Sequence, residues 1–354
     1  PIASLRICVD LEPGGTAEIL LVDGYAPTAD QGTLMLRQIL GLGELPVVHP
    51  TKLTQPSRTI TECSVDAMLH PAPDEVFSFS ENGERLRLGW KTPRRWAHLM
   101  VNELGYGALA TNDGAITSFM GNSQQNALTP FAPDSMTTQD PGQIFYLRNM
   151  ETGEISSPTF VPFRDKKSEY EVTFGLGHCI FRNGRDGITT DLTAFVLHDR
   201  TMEARLLRII NDTDRPVTYT VTFFAQMVLA DVPVDSVNQI LTETDRDTNA
   251  IFFSRPENLF QHGWAFVSSS LPASSMETQL NRFLGEGRTL HDPYMVEFGE
   301  PDLNQEDDGY RVAVLSGTIT VPARDEASMH VLIGQAADIP ACRRLMATMP
   351  LTED

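Results

Sequence analysis

The densest collection of side chains suited to ligand chemistry lies in a polar, loop-rich stretch from Asn102 to Arg148. It reads NELGYGALATNDG (102–114), GNSQQNALTPFAPDS (121–135) and QDPGQIFYLRNMETGEISSPT (139–159). Asn, Gln, Ser and Thr groups stand there beside Trp96, Tyr106, Phe119, Phe131 and Tyr146. Sugar hydroxyls need planar amide donors and acceptors, and pyranose faces need aromatic platforms. Ordinary sandwich loops share this composition, so glycan contact and plain loop chemistry both fit it. Other chemistries find less. The chain has no GxxxxGK phosphate loop, no HExxH and no nucleophile elbow. Its eight histidines never fall at metal-ligand spacing, and Glu306-Asp307-Asp308 before Gly309 lacks the alternating oxygen ligands of a calcium loop. A solvated turn is the reading of that acidic run. Forty-seven carboxylates offer many acid/base pairs on paper, but nothing in the order of residues selects two that face one another.

Composition narrows the partners. Against 47 acidic residues stand only 27 basic ones, a net charge of −20 over 354 residues. Such a surface repels phosphate backbones, which excludes nucleic acid as a partner, whereas a neutral glycan is indifferent to it. Cys8, Cys63, Cys179 and Cys342 lie far apart with no CxxC pair, so reduced, mostly buried thiols of a cytoplasmic protein are expected. No apolar run approaches the ~20 residues that cross a bilayer, and no signal peptide is visible. The start at Pro1 suggests a processed or excised chain.

The elements that must carry these residues read overwhelmingly as strands. In 216–223 (PVTYTVTF), Val217, Tyr219, Val221 and Phe223 alternate with Thr218, Thr220 and Thr222, a period of two. Asn82-Gly83 between 76–80 and 84–88 marks a tight hairpin, because both residues tolerate positive φ. A turn-rich 211–216 separates the run EARLLRIIN from the next strand. Further strands are expected at 106–111, 143–149, 170–174, 178–182, 188–197, 249–254, 263–269, 293–299, 310–321 and 327–333. Helices are expected only at 30–40 and 339–349. The pattern predicts an all-β fold, a large antiparallel two-layer sandwich with a few short helices.

An internal repeat sets the domain boundaries. Residues 2–26 and 310–337 both read strand, Pro-containing turn, strand, Gly-Xaa-Ala, then helix, and Ala17, Gly24 and Ala26 match Ala327, Gly334 and Ala336. Residues 1–45 are therefore expected to be the tail of a preceding, similar module. The five prolines of 46–74 make a connecting segment. The sandwich would occupy 75–336, and 337–354 would form a linker helix.

At these residues the chain resembles the β-sandwich module that precedes the helical barrel in the cellobiose- and chitobiose-phosphorylase family of glycoside hydrolases. The version in cyclic β-1,2-glucan synthases and β-1,2-oligoglucan phosphorylases is most similar. The carriers are ENGERLRL (81–88), Trp96 with Asn102, Tyr106 and Gly107, NSQQNALTPF (122–131), YLRNMETGEISSPT (146–159), FGLGH (174–178) and LRIINDTDRP (207–216). The resemblance implies a β-supersandwich of the galactose-mutarotase-like kind, linked to a helical barrel that carries the catalytic acid and the phosphate-binding residues. It places the 122–131 loop nearest the substrate cleft and nominates Asn102, Tyr106, Asn122, Ser123, Gln124, Asn126, Thr129, Phe131 and Arg148 as substrate contacts. The chain departs at Gln124, Gln125, Ala127 and Phe131, where synthase-type modules show Arg, Glu, Arg and Trp. A glutamine cannot reproduce the charged, bidentate guanidinium, so the loop is not expected to hold phosphate.

The expected function is thus a carbohydrate-binding and bracing module of a β-glucan-processing glycosyltransferase or glycoside phosphorylase, with catalysis on the barrel. Its expected partners are a β-glucan oligosaccharide, the C-terminal barrel of the same polypeptide and a second copy in a homodimer. The resemblance assigns the chain no metal and no cofactor. Inorganic phosphate enters only as co-substrate of the parent, which other domains would attach to the bacterial inner membrane. The alternatives are a dimerisation or assembly module without sugar contact, and a self-sufficient glycosidase with two cleft carboxylates.

Overall fold

The computed structural model describes residues 15–16, 31, 34–35, 77–80, 82–92, 95–130, 141–307 and 309–349. The chain divides into two units, Pro1–Cys63 and Ser64–Asp354. In the first, Gln31, Leu34 and Met35 are helical. The first copy of the repeat, except Gly15 and Thr16, and the whole 46–74 segment lie outside the described residues.

Among the described residues of the second unit, β-branched and aromatic side chains at period two build three antiparallel sheets. The largest has ten strands in the order β1 (Phe77–Phe79), β2 (Leu86–Leu88), β8 (Glu169–Gly175), β9 (His178–Arg185), β10 (Ile188–Val196), β11 (Met202–Asn211), β18 (Asp325–Ala336), β15 (Trp264–Ser269), β14 (Ala250–Ser254) and β13 (Leu241–Asp245). The second has five, in the order β16 (Ser275–Gln279), β17 (Arg311–Val321), β12 (Val217–Met227), β6 (Gln143–Asn149) and β7 (Ile155–Ser156). The third joins β3 (Ala97–Val101), β4 (Tyr106–Thr111) and β5 (Ile116–Met120). One apolar cluster, with Phe181, Leu207 and Ile333 from the first sheet, Phe145, Val221 and Leu315 from the second and Met100 and Ile116 from the third, fills the space between them. These sheets form the large antiparallel sandwich that the alternation predicts, and the supersandwich that the resemblance implies.

On β12 the alternation holds at Val217, Tyr219, Val221 and Phe223, all buried, but fails at Thr222 and Phe224, which are also buried. The reason is a second apolar layer, in which Phe224, Tyr146 and Val314 pack under the short helices α1 (Leu280–Leu284) and α2 (Tyr294–Phe298). The expected strand at 293–299 is that second helix. Extended Pro293 precedes it, Tyr294 and Phe298 bring their rings to 4.5 Å one turn apart, and Gly299 at φ 85° ends it. A third layer places α3 (Ile339–Met346) over Phe252, Phe266 and Leu332, with Cys342 buried beneath it. Arg343 anchors the helix to Asp245 at 2.8 Å. The Asp338 carboxylate accepts from Ala341 N at 2.7 Å as its N-cap. Asp338→Ala should cost about 1 kcal/mol, measured as a lower midpoint in chemical denaturation. Burial pushes the Cys179 and Cys342 thiols up to about 12, which keeps both protonated and unreactive at neutral pH.

Candidate functional site

The stretch singled out in the sequence does not form one site. It divides between the two ends of the sandwich, because β12 runs from Val217 at one end to Met227 at the other. Eleven residues at about 3.3 Å each set the ends on the order of 30 Å apart.

At the far end, loop 121–126 follows β5. Gly121, at φ 76°, donates its N–H to Gly105 O at 2.8 Å, and an added Cβ would meet Phe260 at 3.1 Å. Asn122 Oδ1 accepts from Gln124 N at 2.8 Å and Gln125 N at 3.2 Å, folding the chain into a tight polar turn. Ser123 is half-buried, and the Gln124 and Gln125 amides are exposed on the crest. Asn126 is fully buried beneath them. It donates to Met120 O at 3.0 Å and Gln335 Oε1 at 2.8 Å, and accepts from Asn258 Nδ2 at 3.0 Å. Asn258 in turn holds Leu229 O and the Phe260 and Gln261 amides. Beside this crest stand exposed Leu259, Phe260, Val232 and Val234.

Three of the other nominated residues, Asn102, Tyr106 and Thr129, shape this end from within. Asn102 donates to Leu197 O and Arg200 O, both at 2.7 Å, and accepts from the Leu104 and Tyr106 amides. Tyr106, fully buried, donates its hydroxyl to Ile333 O at 3.0 Å, and burial with the Glu203 charge holds its phenol well above the ordinary value. Thr129 is buried and its hydroxyl accepts from Ser118 N at 3.0 Å. Arg148 lies near the opposite end, on β6 beside Thr220 and Ile155, with a guanidinium nitrogen 3.7 Å from Met150 Sδ. Phe131 lies outside the described residues.

A buried charged group that sequence reading passed over supports the loop from below. Glu203 and Arg205, 0% and 1% exposed, form an ion pair at 2.9 Å in the core. Ser118 donates to Glu203, Gln143 donates to Ser118 Oγ at 2.6 Å and to Thr129 at 3.2 Å, and Arg205 donates to Gln143 Oε1 at 3.3 Å. Burial raises the Glu203 carboxyl above its usual range, while the Arg205 guanidinium and the Ser118 hydroxyl pull it back. The signal was present. In MEARLLRIIN the charges at 203 and 205 share a strand face with Leu207 and Ile209, which is the core face.

At the near end, a groove of about 690 Å³ opens between segment 152–168, the β9–β10 turn and the β11–β12 turn. Asp186 and Gly187, both at positive φ, make the two-residue turn between paired Arg185 and Ile188. Arg185 ties it to the facing segment, at 2.7 Å from Asp165 and 3.3 Å from Glu154. Hydrogen bonds from the Lys167 amide and, less, from Arg185 hold the Asp165 carboxyl below its ordinary value. Asn183 donates to Ser157 O at 2.9 Å, and Tyr219 and Asn149 bond to one another across the floor. Among the described residues, no three His, Cys, Asp or Glu side chains converge as metal ligands would.

Comparison with known proteins gives this geometry its family. The chain is 27% identical over 266 residues to the cyclic beta-(1,2)-glucan synthase NdvB of Rhizobium meliloti (strain 1021), covering 73% of this chain and 9% of that protein. It is 25% identical over 217 residues to the N,N'-diacetylchitobiose phosphorylase of Vibrio furnissii, covering 58% of this chain and 26% of that one. The chain therefore spans a minor part of the curated relatives it matches. Among solved structures, a galactose mutarotase related enzyme from Lactobacillus acidophilus aligns over 68% of this chain and 98% of its own, at a TM-score of 0.41 and 8% identity. The family model described as glycosyl hydrolase 94, supersandwich domain, matches residues 81–350. The second unit, with its three antiparallel sheets and capping helices, belongs to the glycosyl hydrolase 94 supersandwich family.

Proposed function

We propose that the chain is the carbohydrate-contacting and bracing module of a β-glucan-processing enzyme of the synthase or phosphorylase type. The observation that carries the reading is the crest at 122–125, where Asn126 and Asn258 fix the backbone beneath while Gln124 and Gln125 present their amides to solvent. A primary amide both donates and accepts, so a pair on a fixed turn can bracket adjacent sugar hydroxyls at low ordering cost. Asn122 and Ser123 complete that surface. The relatives' names support a glucan or related β-linked sugar as the ligand. The apolar rim of Leu259, Phe260, Val232 and Val234 supports the bracing part, since it offers a helical barrel of the same polypeptide a surface to cover.

In this scheme a carboxylic acid on the barrel protonates the leaving glycosidic oxygen while phosphate, or another sugar, attacks the anomeric carbon. The present residues contribute orientation, holding the glucan so that the scissile bond meets that acid. The test is steady-state kinetics of the parent enzyme carrying Gln124→Ala and Gln125→Ala. Loss of two amide contacts should lower kcat/KM for the glucan about tenfold with the oligomer unchanged. Unaltered kinetics with an altered oligomer would replace the reading with a pure assembly module.

A further inference from the structure

We infer that the groove bounded by segment 152–168, the 185–188 turn and the 213–217 turn is a second carbohydrate-binding site, one that holds a short oligosaccharide. It goes beyond the crest reading, from which it is separated by the length of β12. Its volume of about 690 Å³ falls within the range of small-ligand sites. Its lining mixes the two surfaces a sugar needs. Ser156, Asn183 and Tyr219 offer hydroxyl and amide groups, and Phe163 and Ile155 offer apolar contact. The Phe163 ring is steadied edge-on by Tyr146 at 6.0 Å.

The rim supplies charge in a form suited to neutral hydroxyls. Arg185 lies within 3.3 Å of Glu154, Asp165 and Asp186 at once, so one guanidinium partly offsets three carboxylates and holds them together. Such carboxylates accept strong hydrogen bonds from hydroxyl donors, and the guanidinium fixes them before any ligand arrives. Lys166 and Lys167 stand exposed on the same rim and form no ion pair among the described residues, and the Lys166 ammonium sits 5.6 Å over the Trp90 ring. The lining sets Arg164, Lys166, Lys167, Arg185 and Arg215 against Glu154, Asp165 and Asp186, but a simple anion would leave the apolar wall unused. A lipid tail would strip water from the hydroxyls without replacing it. A polyhydroxyl ring satisfies both surfaces. With two sites on one rigid sandwich, a long glucan held in the groove raises the local concentration of its next segments at the crest.

Hydrogen–deuterium exchange of the chain with β-1,2-linked gluco-oligosaccharides at millimolar concentration tests the inference. Slowed exchange is expected in 155–168, 183–188 and 213–219. Phe163→Ala should weaken binding there about tenfold, and Tyr219→Phe, which keeps the ring and its packing, by about fivefold. If the first variant fails to fold, the second decides alone. Gln124→Ala should leave the groove's protection unchanged. Protection confined to 121–126 would overturn the groove while leaving the crest reading standing, and protection at neither end would remove both. Protection of the groove by inorganic phosphate but not by saccharide would overturn it in favour of an anion site.

Discussion

Arg205→Ala should destabilise the protein by about 4 kcal/mol at neutral pH, the largest single-residue effect expected. The arginine is 1% exposed and is the charge facing Glu203, itself 0% exposed, at 2.9 Å. Removing it leaves a carboxylate in the core with the neutral Ser118 and Gln143 side chains as its partners and no opposite charge beside it. Because burial already raises the Glu203 carboxyl, loss of the guanidinium raises it further. A folded-state value above the unfolded one means that the folded protein holds its proton longer. Stability of the variant therefore falls as pH rises from the unfolded carboxylate value, about 4.3, through the folded one. The deficit against the parent protein should accordingly shrink at acid pH, where Glu203 is neutral and needs no partner. Denaturant midpoints measured across that range check the sign. The double variant Glu203→Leu with Arg205→Met should recover most of the loss, since apolar replacement of a buried pair is often neutral or stabilising. A pH-independent deficit would show that packing, not charge, accounts for Arg205.

Asn126→Ala should cost about 3 kcal/mol, from several buried hydrogen bonds lost at once. The change takes a donor from Gln335 Oε1 and from Met120 O, and an acceptor from one Asn258 amide proton. Its effect on function should exceed its effect on the rest of the fold, because the same amide holds the crest to the body. Amide exchange at 121–126 should accelerate while exchange in the cores of β11 and β12 changes little. Uniform acceleration throughout would show that Asn126 serves the whole sandwich and not the crest.

Much of this fold was legible because its strands are long, alternating and punctuated. Tyr106–Thr111 and Gln143–Asn149 fall at the expected residues, and a hairpin at Asn82-Gly83 joins β1 and β2, but with only Gly83 at positive φ and Ser80 N bonded to Arg85 O its turn is longer than the tight one expected. The helix at Tyr294–Phe298 was not legible, since five residues make too little periodicity and Tyr, Val and Phe favour strands on average. The site was legible as motif but not as geometry. Composition marks Asn102, Asn126 and Thr129 as polar loop residues, but cannot tell an amide bonded inward from one offered to solvent. Residues 118 and 203 meet across 85 positions of chain, and the groove joins three segments whose turns were each readable alone. Which ends of which strands share an end of the sandwich is set by sheet register, and no local pattern encodes that order.

NMR titration of the chain with a β-1,2-linked gluco-oligosaccharide decides whether the 122–125 crest presents its amides to a glucan. The side-chain amide resonances of Gln124 and Gln125 are the probes. Saturable shifts of both at millimolar ligand, abolished by Gln124→Ala with Gln125→Ala, are the predicted result. Resonances that stay fixed to the limit of sugar solubility, while the crest remains folded, would contradict it.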